Sequence, residues 1–504
     1  MTVPARAVPP SADPSEPGTA RILAVLAGFV LVWTLYFTIT EAPVAIKHDM
    51  AEAYAWGRQF ELGYNQHPPF WAWICGAWFQ VFPRRLWAFA LLSSVNAAVG
   101  LLGAWRAIGD FASGRTRIAA WALLLATPLY TFYAYKYDAN IIFISIWPWT
   151  LHSFMVSLRS RRAGDAIGFG LCAGLALMSK YYALILLASC FLAAVQHPAR
   201  RRYFASAAPY ITVAIAVVVL SPHLWWLVTH RAPPLRYLDS LVDWPWSWIF
   251  SYAAQAMSGI VGMNLAPVLL VAWIAWRSGR AETGTTEAPP AEPTRRLLAT
   301  LTLVPPALTL IGGLALRTRI TSEMMVGAFP LLPLLAIEIA RPREIGRLAR
   351  IATWLAVVVS LGPLVTAPGF AWWRTWRSPA AMKVQPFQEV ARAATGIWHK
   401  TTGLPLAYVA GSDWYENETA FYSTDRPHTF EHFDYNENLW VKPGDIARHG
   451  LLSICIATDT LCLTRTARFA TPQSTRTEIT LAHRFWGHRA RPVPFVVTVI
   501  PPRR

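Results

Sequence analysis

The sequence predicts a polytopic α-helical membrane protein with a small soluble domain at its C-terminus. Three observations carry this prediction. Of 504 residues, 54% are hydrophobic and only 14% are charged, where a soluble domain carries about a quarter charged residues. The 25 tryptophans and 24 phenylalanines suit the two interfaces of a bilayer. Apolar runs near the length that a ~30 Å hydrocarbon core requires recur from residue 21 to residue 368 and then stop.

Residues 1–20 are rich in Pro, Ala and Ser and read as a disordered cytoplasmic tail. The apolar run that follows lacks a small-residue cleavage site, so it reads as a retained first helix. About eleven spans are predicted, near 21–39, 86–105, 117–134, 140–158, 164–179, 182–196, 204–228, 247–276, 297–316, 324–340 and 350–368. Basic clusters fall in alternate loops: Arg106 to Arg117, 159–162, 197–202, 277–296 and 341–350. Cytoplasmic loops retain Lys and Arg, so these loops and the N-terminus are placed inside. The segment 281–294 reads as a flexible cytoplasmic linker. The opposite side then receives 40–85, 135–139, 180–181, 229–246, 317–323 and everything after about 369.

One apolar run fits no span. PPFWAWICGAWFQVF (68–82) is short and opens on two prolines. As a span it would break the charge alternation, so it is expected to lie on the membrane surface as an interfacial helix. From 369 to 504 the chain changes character. Strand-like runs such as LAYVAG (406–411) and LLSICIA (451–457) alternate with polar turns, and the expected unit is a small periplasmic α/β domain.

The net charge of +17 does not point to nucleic acid, because the arginines sit in short loops between apolar runs, where they orient the chain. Cys75, Cys172 and Cys190 lie in apolar runs and read as small core residues. Cys455 and Cys462 can pair if their domain faces an oxidising compartment. His428, Glu431 and His432 have the order of a short zinc motif but lack a helical pattern, so no metal ligands are assigned. No cofactor is required by the sequence, and a divalent metal stays open.

The chemistry gathers in KHDMAEAYAWGRQFELGYNQHPPF (47–70), the first external loop. If 49–60 is helical, Asp49, Glu52 and Trp56 share one face at i, i+3 and i+7. Two carboxylates beside an aromatic surface at a membrane boundary are costly and mark a functional site; the alternative is a solvated amphipathic helix. Four cations, Lys136, Lys180, Arg317 and Arg319, stand on the outer side against the positive-inside bias. They are candidates for binding an anion such as phosphate. The alternative is that they snorkel or pair with Asp138 and Glu323.

A first span followed by an external acidic residue, the AEAYAWGRQF segment (51–60), Gly63-Tyr64 and the HPPF box (67–70) resembles glycosyltransferase family 39. YKYDAN (135–140), LALMSKYYALILL (175–187) and VAGSDWYENETAFYSTDRPHTF (409–430) are also similar to bacterial members of that group. The group includes protein O-mannosyltransferases and the aminoarabinose and galacturonic acid transferases of lipid A. The resemblance implies a GT-C fold in three parts: a tail (1–20), a transmembrane catalytic domain (21–368) with its first periplasmic loop at 40–85, and a periplasmic domain (369–504). It implies a bacterial inner-membrane enzyme that moves a sugar from a polyprenyl-phosphate donor to a lipid or surface-glycan acceptor, such as lipid A or lipopolysaccharide.

The family's first-loop aspartate matches Asp49, as general base or acceptor positioner. Many relatives place Glu next; here Met50 follows and Glu52 is the next carboxylate. The family's basic residue before the two prolines, often Lys, is His67. Lys136, Lys180, Arg317, Arg319 and His67 are then expected at the donor phosphate. Lys47, His48, Tyr64, Asp138 and Glu323 are expected to line the substrate site. The alternatives are a protein O-mannosyltransferase-like enzyme and, in a different class, a lipid-linked glycan transporter or flippase. A transporter predicts paired repeats and mid-membrane charges; an O-antigen polymerase or ligase predicts a large external loop in the second half. Neither pattern is present in the sequence.

Overall fold

The computed structural model describes residues 16–234, 237, 241–280, 292–377 and 385–503. The predicted tail lies outside the described residues through residue 15, and the predicted linker through residue 291.

The helices are α1 (Thr19–Thr40), α2 (His48–Gly57), α3 (Phe70–Val81), α4 (Leu86–Gly109), α5 (Gly114–Leu125), α6 (Phe143–Ser160), α7 (Ala163–Ser179), α8 (Ala183–Gln196) and α9 (Arg200–Phe204). They continue as α10 (Ala208–Thr229), α11 (Trp246–Ser278), α12 (Glu292–Ala315), α13 (Leu332–Ala340) and α14 (Ile345–Arg377). Each of the eleven expected spans falls on a helix. Six helices, α1, α4, α10, α11, α12 and α14, are long and apolar enough to cross a membrane. A seventh crossing is possible if Ser322–Ala328 and α13, bent by 67° at their junction, act as one. α5, α7 and α8 have 12, 17 and 14 residues, short of the ~20 that a ~30 Å core needs. Lys180 caps α7 with extended backbone and divides it from α8.

The loops collect at two ends, grouped as the charge alternation predicts. At one end the Glu16 carboxylate accepts from the Gly114 N–H and the Arg117 guanidinium, both at 2.8 Å. Arg159 donates to Asp110, and Arg343 donates to the Arg280 carbonyl at 2.7 Å. At the other end lie α2, α3, the turn 133–140, Lys180, residues 317–323 and the C-terminal domain.

That domain adds α15 (Phe387–Thr402), β1 (Tyr408–Gly411), α16 (Tyr415–Tyr422), β2 (His428–Thr429), α17 (Asp445–His449), β3 (Leu451–Ile456), α18 (Thr460–Ala467), β4 (Thr475–Leu481), β5 (Arg484–Phe485), β6 (His488–Arg489) and β7 (Val493–Ile500). The main sheet has the order β2-β1-β3-β7-β4. β1 runs parallel to β2 and β3, while β7 runs antiparallel to β3 and β4. Both predicted strand runs are strands. β3 and β7 are buried along most of their length, as the continuous apolar run LLSICI requires. Cys455 at the end of β3 and Cys462 in α18 form a disulfide.

The domain is fastened to the first loop. Ala420 and Phe421 of α16 join the same apolar core as the helical bundle. Arg84 donates to the Phe421 and Ser423 carbonyls, each at 2.7 Å. Arg58 donates to the Arg426 carbonyl at 2.7 Å. Arg374 bridges Glu41 at 2.6 Å and the Thr40 carbonyl at 2.8 Å. These guanidiniums satisfy backbone carbonyls that would otherwise be orphaned at the junction.

Candidate functional site

The expected helix 49–60 is α2, which ends at Gly57, and Phe60 takes a left-handed backbone with φ of 49°. α2 lies directly on α3 because two glycines meet. A Cβ on Gly57 would stand 2.2 Å from the Ala72 carbonyl oxygen, and one on Gly76 would stand 2.1 Å from the Gly57 carbonyl oxygen. This contact fixes the height and rotation of the helix that carries Asp49, Glu52 and Trp56.

Asp49 meets the Lys136 ammonium directly. The same ammonium reaches Asp138 at 3.5 Å and the two Glu323 carboxylate oxygens at 3.2 and 3.3 Å. Burial opposes the charge on Lys136, but Asp138, Asp49 and Glu323 outweigh it and hold its pKa well above the ordinary lysine value. Tyr133 adds a hydroxyl to Glu323 at 3.1 Å. Asp138 accepts the Asn140 and Ile141 N–H groups at 2.7 and 2.8 Å, which ties the turn after Lys136 into the network. Burial pushes the Asp138 carboxyl up, against the pull of Lys136. Lys136 thus follows the pairing alternative read from the sequence, with Asp49 as an additional partner.

Lys180 is the second cation. Its ammonium donates to the Asn140 side-chain oxygen at 2.6 Å, a neutral partner. Burial lowers its pKa, and Asp138, Glu323 and Asp49 oppose that. Its charge is felt at His67, which burial already keeps neutral and well below the ordinary imidazole value. His67 opens the HPPF box, so the box presents a poor cation where many relatives carry Lys.

The four cations do not form one clamp. Arg317 turns away, donating to the Asp243 and Trp244 carbonyls at 3.1 and 3.3 Å and pairing with Asp243 at 3.5 Å. Arg319 lies over the Tyr252 ring at 4.8 Å. Tyr64, expected to line the substrate site, is buried; its hydroxyl donates to the Trp56 carbonyl at 2.7 Å and its ring stacks on Trp56. It supports Trp56. Lys47 pairs with Glu41 at 3.5 Å. Burial drives His48 down to about 4, so it is neutral, and its ring faces Trp414 at 5.1 Å.

Glu52 lies one turn beyond Asp49. Burial raises its pKa well above the carboxylate range, and Glu431 and Asp49 raise it further. Glu431 comes from the C-terminal domain and accepts from the Trp56 indole at 2.9 Å. The His428–His432 stretch holds no metal cage. His428 meets Gln59 at 3.0 Å, while His432 meets Glu437 at 2.6 Å and Asp413 at 3.5 Å. Among the described residues, no three His, Cys, Asp or Glu side chains are placed to share a metal ion.

Sequence reasoning missed Tyr133, Asn140, Trp414 and Glu431 as members of this site. Asn140 stood inside the quoted YKYDAN box. Glu431 offered no local signal, because its partner Trp56 is 375 residues away.

The family model for dolichyl-phosphate-mannose-protein mannosyltransferases matches residues 66–226. The chain is 27% identical over 229 residues to the lipid A galacturonosyltransferase RgtD of Rhizobium johnstonii. That alignment spans 44% of this chain and 46% of the relative, about half its length. Two crystal structures of ArnT from Cupriavidus metallidurans superpose on the chain, each covering 95% of it and 98% of ArnT. The form bound to undecaprenyl phosphate gives a TM-score of 0.60 at 14% identity, and the apo form 0.62 at 13%. Over nearly the whole chain the fold is therefore that of ArnT.

Proposed function

We propose that this protein is an integral-membrane glycosyltransferase that moves a sugar from a polyprenyl-phosphate donor to a lipid or surface-glycan acceptor. The reaction takes place at the end of the bundle that carries the C-terminal domain, which the positive-inside argument puts in the periplasm. The observation that carries the reading is the Asp49–Lys136 pair, fixed by Asp138 and Glu323, with Lys180 beside it on a neutral partner.

A polyprenyl-phosphate sugar brings its own leaving group. The acceptor oxygen attacks the anomeric carbon; the bond from that carbon to the phosphate oxygen breaks, and its electron pair leaves with the polyprenyl phosphate. The acceptor proton passes to the Asp49 carboxylate, which the Lys136 ammonium holds in place, while burial disfavours the charged form of Glu52 on the same helix. Lys180 is the cation for the departing phosphate, since its present partner is an amide oxygen and carries no charge to compete. Lys136 holds Asp49 and Glu323 in position. His67, neutral, serves as a hydrogen-bond donor to a phosphate oxygen.

A lipid acceptor is favoured by the sequence relative, a lipid A galacturonosyltransferase, and a polyprenyl-phosphate donor by ArnT, whose structure with undecaprenyl phosphate shares the fold over nearly the whole chain. A protein acceptor is the second reading, favoured by the family model over 66–226. Transfer assays with purified full-length protein test both. A panel of polyprenyl-phosphate sugars is offered with extracted membrane lipids or with a Ser/Thr-rich peptide. Label in the lipid fraction is the expected result. Label only in the peptide selects the second reading, and no transfer with any donor overturns the enzyme class and directs attention to lipid flipping.

A further inference from the structure

Outside the Asp49–Lys136 network, the C-terminal domain holds a cavity of about 530 Å³ lined by His432, Phe433, Asp434, Glu437, Arg465 and Arg468. Its lining carries three candidate cations against two carboxylates, and most of these charges are already spoken for. Glu437 pairs with His432 at 2.6 Å. Asp434 accepts the Asn436 backbone and side-chain N–H groups at 2.8 and 3.0 Å. The hydrogen bond to Glu437 keeps His432 protonated, up to about 9. Asp434 keeps its charge, so with His432 protonated three cations face two carboxylates and the lining stays net positive; among the described residues, neither Arg465 nor Arg468 meets a carboxylate within ion-pair distance.

The two arginines are three residues apart, so they project from one side at the end of α18. That helix is held from two directions. Its Cys462 is bonded to Cys455 of β3, and the Asp459 carboxylate caps it by accepting the Cys462 N–H at 3.0 Å. The opposite wall is also fixed. His432 and Phe433 have φ of 53° and 58°, a region that costs energy for residues with side chains. Asn438 braces this turn, accepting the Glu431 N–H at 2.9 Å and donating to the Glu431 and Asp434 carbonyls, both at 2.8 Å.

The strained turn also connects the cavity to the candidate active site. Glu431, adjacent to His432, accepts from Trp56 on α2. His432 faces Asp413 at 3.5 Å, next to Trp414, whose ring lies on His48. A planar guanidinium matches the oxygens of a phosphate with two parallel N–H donors. The volume falls in the range of small-molecule sites, about 300–1,000 Å³, and exceeds what a bare phosphate fills.

We propose that this cavity is a binding site for a sugar phosphate, with Arg465 and Arg468 holding the phosphate, and that it seats the phosphorylated headgroup of the acceptor beside the catalytic loop. The assignment to the acceptor rests on the transferase reading above; the existence of the site does not.

The test uses the full-length protein in detergent and the double variant Arg465→Ala/Arg468→Ala, with Asp49→Asn alongside. Calorimetry measures binding of glucose 1-phosphate, inorganic phosphate and glucose. Glucose 1-phosphate should bind wild type and Asp49→Asn alike and bind the double variant at least tenfold more weakly, with the melting temperature of the double variant unchanged. Weaker binding of inorganic phosphate marks a headgroup site; equal binding marks a plain phosphate site and overturns the sugar-phosphate assignment. Glucose binding as well as its phosphate, or binding unchanged in the double variant, overturns the site itself. Micelles doped with phosphatidic acid as competitor separate the sources: competition without loss of affinity in the double variant places the lipid elsewhere and contradicts the proposal. In the transfer assay, the double variant should raise the KM for a phosphorylated acceptor about tenfold and leave the donor KM unchanged. Equal KM values for both substrates contradict the acceptor assignment while the binding result stands by itself.

Discussion

At one end of the bundle, Asp110 holds Arg159 at 3.3 Å and His152 at 2.8 Å, and Glu344, just before α14, pairs with Arg347 in its first turn. At the other end, Lys136 gathers Asp49, Asp138 and Glu323 from three separate segments. Both ends are rich in charge, yet the partners differ in kind. Arg159 and Arg347 are about half exposed, at 45% and 46%, where an ion pair is worth about 0–1 kcal/mol. Asp138 is only 6% exposed, and removing its cation leaves carboxylates out of water without a partner. Charge at the second end is gathered on one ammonium and held in one place, which is what chemistry on a substrate requires.

The largest break in this contrast comes from Lys136→Met. Losing the central cation should cut transfer about 10²–10³-fold and destabilise the fold. Arg347→Ala at the other end should leave transfer unchanged and shift stability by no more than about 0.5 kcal/mol. Parallel initial rates and thermal melts in detergent check both. Equal effects at the two ends would erase the distinction.

Gly76→Ala is next. The added carbon must push α2 away from α3 at Gly57, and a displacement near 1 Å costs about 100-fold in rate even without loss of a reacting group. Transfer rate with an unchanged far-ultraviolet helical spectrum is the readout. A wild-type rate would mean that the glycine contact does not set the position of Asp49.

Trp56→Phe sharpens the picture from the side of the C-terminal domain. It keeps the ring that Tyr64 stacks on and removes only the N–H that reaches Glu431. A loss of about 1 kcal/mol in barrier, or roughly fivefold in kcat, follows from one hydrogen bond. The double variant Trp56→Phe/Glu431→Gln should lose little more than either change alone, since both act on one contact.

The last effect is on stability and leaves the rate alone. Glu418 of α16 is buried, and neither of its carboxyl oxygens has a protein hydrogen-bond partner. Burial raises its pKa well above the carboxylate range. A carboxyl raised on folding contributes its stability below the unfolded pKa, about 4.3, and loses it as pH rises through the folded value. Glu418→Gln removes that proton linkage, so the variant should gain on wild type as pH climbs above about 4.3, by roughly 1–2 kcal/mol at neutral pH. Melting temperatures across pH 4–8 check this. Parallel curves for the two proteins would contradict a buried, protonated Glu418.

The contrast also marks what was legible in the sequence. Composition and the recurrence of apolar runs give the membrane class, and the 3.6-residue period places Asp49, Glu52 and Trp56 on one helix face. Charge alternation groups the loops correctly, because it depends on each loop separately. The crossings of α5, α7 and α8 rest on the charge alternation, since each helix is shorter than the ~20 residues that length alone would ask of a span. Arg317 was grouped with Lys180 because both break the charge rule, but the carbonyls of Asp243 and Trp244 capture it. Glu431 on Trp56 and Arg84 on the end of α16 join residues more than 330 positions apart, and such pairs leave no periodic or local trace.

The central claim is that Asp49 is the base while Glu52, one turn away, is a protonated neighbour. The direct measurement is kcat of polyprenyl-phosphate sugar transfer for wild type, Asp49→Asn and Glu52→Gln at neutral pH. The account predicts a fall of at least 10²-fold for Asp49→Asn and a rate within about tenfold of wild type for Glu52→Gln, which imitates the protonated acid. The reverse order, or Asp49→Asn at the wild-type rate, would contradict it.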